Sequence, residues 1–134
     1  MRDDSVVVSF QPTDIWYRDW PHGVDTSVQV QAAISGPDAA NAVQEFLKSL
    51  KRDLDAEVPD GVSRYYRGGF AVAVTAPVDD GVWHIVLASA GEDGFDSVED
   101  GADALVGALR STPGAISLTW HELPATRIYA APLR

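Results

Sequence analysis

The sequence predicts an α+β fold: a ferredoxin-like βαββαβ sandwich, with an antiparallel sheet carrying two helices on one face and an extra strand at the N-terminus. Three observations carry this reading. Two apolar, β-rich runs between Gly69 and Ala90 flank Asp79-Asp80-Gly81, and such a turn tolerates positive φ and closes a hairpin at little steric cost. One helical periodicity precedes the hairpin and one follows it. A strand pattern lies outside each helix, so from Thr26 the order reads strand, helix, strand, strand, helix, strand. Right-handed crossovers then put both helices on one sheet face, with strands 26–34 and 82–90 central and 69–76 and 115–123 outside them.

Composition sets the bounds. A chain of 134 residues is expected to form one domain over 1–134, long enough to bury about two-thirds of its unfolded surface. At 46% hydrophobic residues it is not a disordered sequence. No apolar run approaches the ~20 residues of a bilayer span. Asp3 and Asp4 precede a short Val-Val-Val run, unlike a signal peptide, so a cytoplasmic setting is expected. With no cysteine, disulfides, thiolate catalysis and Cys-based zinc sites are excluded. The net charge is −10, with Asp outnumbering Glu 15 to 5 and Arg outnumbering Lys 8 to 2. A GC-rich bacterial genome or mild halophily gives such a bias, and the charge also favours a basic protein partner. It disfavours direct nucleic-acid binding, whose affinity comes from Lys and Arg.

Element by element, Ser5 to Phe10 reads as a short strand around Val6, Val7 and Val8. Gln11 to Asp25 is a connection holding Trp16, Tyr17 and Trp20, either a flap over one end of the core or an aromatic contact patch. Thr26 to Ile34 alternates: Val28, Val30, Ala32 and Ile34 face one way, Gln29 and Gln31 the other. Ser35 or Gly36 can cap a helix over 37–57, with Pro37 in its first turn and Asp38 complementing its dipole. Ala39, Val43, Phe46, Leu47, Leu50 and Leu54 form its apolar stripe, and Pro59-Asp60-Gly61 ends it. Five of the ten Lys and Arg fall between Lys48 and Arg67.

In the hairpin, Phe70, Val72, Val74 and Ala76 share one face, and Ala71, Ala73 and Thr75 the other. The second helix is predicted over 97–111, with Asp96/Glu99 or Ser97/Asp100 as capping box. Its apolar stripe is Val98, Ala102, Leu105, Val106 and Leu109. Gly101 and Gly107 weaken it by about 1 kcal/mol each relative to Ala, or let it lie close to the sheet. Thr112-Pro113-Gly114 ends it. Ala115 to Leu123 is the last firm strand, which Pro124 is expected to break, with Ile128 to Ala131 as a candidate edge strand. Phe46, Leu50, Val72, Leu87, Leu105 and Leu118 are expected to share the core.

Few residues suggest chemistry. His22, His84 and His121 have no metal-ligand spacing, and no GxSxG, P-loop or GxGxxG motif is present. No metal or cofactor is expected. Glu92, Asp93, Asp96, Glu99, Asp100 and Asp103 are six acids in twelve residues, not spaced as an EF-hand. They form either a solvated helix start or a patch for arginines on a partner. Glu99 and Asp103 are i, i+4 neighbours, as are Asp96 and Asp100, which predicts two adjacent acidic rows. The helix-free sheet face is expected to be bare and to present Gln29, Gln31, Ala71, Ala73, Thr75, His84, Val86, Ser117, Thr119 and His121. The first functional expectation is therefore a small acidic, non-enzymatic binding protein that occupies a partner, as an inhibitor or immunity protein does. The candidate contacts are Trp16, Tyr17, Trp20 and the acidic run. The alternatives are a small enzyme or ligand-binding domain using His84 on the open face, and a subunit that dimerises through that face.

Overall fold

The computed structural model describes residues 7–13, 26–55, 58–90 and 94–127. Along the chain run β1 (Thr26–Ser35), α1 (Ala39–Lys48), β2 (Lys51–Arg52), β3 (Val62–Arg67), β4 (Phe70–Thr75), β5 (Trp83–Ala90), α2 (Gly94–Ser111) and β6 (Ser117–Arg127). The strands form one antiparallel sheet in the order β2-β3-β4-β5-β1-β6. The α+β class and the two helices are as the sequence predicts. Strands β2 and β3 add to one edge of the predicted βαββαβ arrangement and make the sheet six-stranded, so a ferredoxin-like topology is not established for the sheet. Residues 7–10 form no strand, so the predicted N-terminal strand is corrected over its described part. Trp16, Tyr17, Trp20, His22, Glu92, Asp93 and the candidate edge strand 128–131 lie outside the described residues.

The hairpin is the best-read element. β4 and β5 pair antiparallel from Ala71–Ala88 to Thr75–His84. The loop turns at Gly81, with φ +71°, and the Val82 N–H donates to the Asp80 carboxylate at 3.0 Å. β4 ends one residue early, leaving Ala76 exposed.

Both helices cover the same sheet face. Ala42, Val43 and Phe46 of α1 and Val98, Leu105 and Leu109 of α2 enter one cluster with Val30, Ile34, Val72, Ile85, Leu87 and Leu118. Those sheet residues lie on one face by register: Val72 and Val30 both oppose Leu87, and Ile34 opposes Leu118. Of the six expected core residues, Leu50 sits only half-buried at the margin.

α1 stops at Lys48, not near residue 57. The Ser49 and Leu50 N–H groups donate to Phe46 and Leu47, tightening the last turn, and the Ser49 hydroxyl donates to the Phe46 carbonyl at 2.7 Å. A serine that satisfies a helix carbonyl itself favours an ending. Lys51 and Arg52 then pair with Tyr66 and Tyr65, and Leu54, which continues the helical spacing, is 82% exposed. Asp38 is the N-cap of α1 but makes no side-chain cap bond. Its carboxylate accepts the Ala115 N–H at 2.8 Å, clasping the start of α1 to the entry of β6. Pro124 does not break β6. The β1–β6 register shifts between Ser27 and Gln29, so Pro124 and Ala125 together oppose Val28. A bulge on an edge strand accommodates a residue with no N–H to donate.

Candidate functional site

The acidic run is organised by α2. Val98, Ala102, Leu105, Val106 and Leu109 are buried, while Asp96, Asp100 and Asp103 are exposed and Glu99 is half-buried. At 3.6 residues per turn these four acids fall within an arc of about 100°. The two predicted rows, Asp96/Asp100 and Glu99/Asp103, therefore lie side by side as one stripe on the side of α2 away from the core. α2 begins at Gly94, which puts Asp96 and Ser97 inside its first turn. The predicted capping boxes are therefore not its start, and Asp96 instead faces the positive end of the dipole.

α2, which carries the stripe, lies close to the sheet. A Cβ on Gly101 would stand 3.1 Å from the Phe70 ring, and Phe70 is buried with the Arg67 guanidinium 5.7 Å from its centroid. Only a glycine lets the helix approach that ring without displacement. Gly107 has open space around its Cβ position, so the close-approach reading holds for Gly101 alone. At the C-terminal end, Ser111 and Thr112 hydroxyls donate to Gly107 and Ala108 carbonyls.

On the helix-free face the register gives the rows Thr75–His84–Ala33–Thr119 and Ala73–Val86–Gln31–His121. Every residue expected there is on that face. β3 adds Arg64 and Tyr66, which the sequence reading missed because it assigned no strand to them. The face is not bare: Val86 is 1% exposed, and Gln29 4%. His84 Nδ1 lies 3.0 Å from Gln31 Nε2. With the amide donating, the neutral ring carries its proton on Nε2. A shallow groove of about 270 Å³ runs beside His84 between Thr75, Val78, Asp80 and Val82. β1 separates His84 from His121, and among the described residues no three His, Asp or Glu side chains could hold a metal ion. No helix among them is long and apolar enough to cross a membrane.

The basic residues gather elsewhere. Lys48, Lys51, Arg52, Arg64 and Arg67 lie at the end of α1 and on β2 and β3, with the Arg52 guanidinium 5.3 Å from the Tyr65 ring centroid. A short, charged outer strand is a common guard against edge-to-edge pairing. No protein family, curated protein or solved structure matches the chain.

Proposed function

We propose that this chain is a small acidic, non-enzymatic binding protein that acts by occupying a basic partner protein, as an inhibitor or immunity protein does, with the outer face of α2 as its contact surface. The observation that carries the reading is the exposed stripe of Asp96, Asp100 and Asp103, turned away from the buried stripe of a helix packed closely on the sheet. Carboxylates presented on a formed, packed helix suit arginine-rich surfaces, because little backbone order is lost on contact. The two other readings have less support. The groove at His84 is open, and the ring meets an amide rather than a carboxylate that would orient it as a base. Among the described residues, the buried centre of the helix-free face leaves no wide apolar surface for a second copy. Within the sheet, β4-β5-β1-β6 with α1 and α2 are best read as a ferredoxin-like unit that β2 and β3 extend; the adjacency of those four strands supports this.

Affinity capture from the native host tests the function. The wild-type chain should retain a basic protein at low salt, and an Asp96→Asn, Asp100→Asn, Asp103→Asn variant should not. Equal retention by both would overturn the assignment of the surface.

A further inference from the structure

Residues 7–13 form no strand, yet the body of the protein holds Val7, Val8, Phe10 and Thr13. The Arg110 guanidinium donates to the Val7 carbonyl at 3.1 Å, and the Trp120 indole N–H donates to the Val8 carbonyl at 2.8 Å. The Phe10 ring packs on Trp120, with centroids 5.3 Å apart and planes tilted by 45°. Both oxygens of the Glu122 carboxylate are then used on one residue: Oε2 accepts the Thr13 N–H at 2.7 Å and Oε1 accepts its hydroxyl at 2.6 Å. The holding groups come from the last turn of α2 and the helix-side face of edge strand β6, more than 100 residues away in sequence.

These contacts have the form of peptide recognition. Two side-chain donors read successive carbonyls, an aromatic shelf takes an aromatic anchor, and a carboxylate fork reads an N–H together with a hydroxyl. The fork is charge-assisted, so it discriminates strongly for Ser or Thr at that position. None of the groups requires that the segment belong to the same chain, because no strand ladder ties it to a neighbouring element. We propose that Arg110, Trp120 and Glu122 form a binding site for an extended peptide of a partner protein, with an aromatic anchor and a hydroxyl residue three positions later, and that residues 7–13 occupy it as a built-in competitor. This goes beyond the α2 surface and does not depend on it. A tethered segment competes at an effective concentration in the millimolar range, so an outside peptide binds the intact chain weakly unless the strap is loosened.

The test uses the full chain and a fluorescein-labelled, C-terminally amidated peptide copying residues 7–13, read by fluorescence anisotropy. Loosening the strap with Phe10→Ala, or with the milder Thr13→Val at an exposed position, should tighten peptide binding about tenfold or more over wild type, as the site is freed. Adding Trp120→Phe, which keeps a ring but removes the N–H, or Glu122→Gln should abolish that gain. Failure of the peptide to bind either strap variant, while both still unfold cooperatively, would overturn the proposal. So would dimerisation of the Phe10→Ala chain in light scattering without peptide uptake, which would assign the groove to strap exchange between copies.

Discussion

Gly101 is buried and Gly107 exposed on α2, and they should respond oppositely to one added methyl group. At Gly107 the methyl meets nothing within 4 Å, so Gly107→Ala should raise stability by about 0.8–1 kcal/mol, the helix-propensity difference. At Gly101 the same gain is opposed by contact with the Phe70 ring, which is buried and has Arg67 beside it. Overpacking of this kind costs about 1–3 kcal/mol, so Gly101→Ala should lower stability. Urea-unfolding midpoints of the two variants measure the contrast, and shifts of the same sign would remove the close approach from the account. The sequence marked both glycines but could not say which faced the sheet, because the helix phase relative to Phe70 is a tertiary fact. The clasp at Asp38 was hidden for the same reason. Asp38→Ala leaves the Ala115 N–H without its charged acceptor and should cost about 1.5–3 kcal/mol, whereas Asp38→Asn keeps an acceptor oxygen and should cost less.

At the scale of elements, what was legible depended on how local the deciding interaction is. The β4–β5 hairpin is settled by its own alternation and its Asp-Asp-Gly turn, and it was read almost to the residue. α1 was overrun because Leu50 and Leu54 continue its spacing, while the competitor for that stretch is β3, whose partner residues come more than ten positions later. Pairing with β3 won, which leaves Leu50 at the core margin and Leu54 in solvent. Substitutions separate the two halves of that stripe. Phe46→Ala, at 1% exposure, should cost about 3–5 kcal/mol, and Leu50→Ala, at the core margin, less than the roughly 2 kcal/mol where full leucine burial begins. Equal losses in chemical denaturation would restore Leu50 to the core. Pro124 teaches a related lesson: a proline stops a central strand, but an edge strand absorbs it as a bulge.

For the whole molecule, the sequence displays the quantity of charge and the structure its arrangement. Net charge and the acidic run were plain, and helical periodicity alone places the four acids on one stripe once the helix phase is known. The strap site was not legible, since Thr13 and Glu122 stand 109 residues apart and no spacing rule joins them. The central claim, that the α2 stripe recruits a basic partner, concerns long-range attraction and is therefore a claim about rates. Such attraction speeds encounter and is screened as the Debye length falls from about 10 Å at 0.1 M salt to about 3 Å at 1 M. The most direct measurement is the association rate constant of the captured partner with the wild type and with the Asp96→Asn, Asp100→Asn, Asp103→Asn chain, each at two salt concentrations. The variant should associate more slowly, with a shallower salt dependence and a smaller change in dissociation rate, its fold unchanged because all three side chains are exposed. Equal association rates with the same salt slope would contradict the central claim and leave the stripe as the solvated face of a helix.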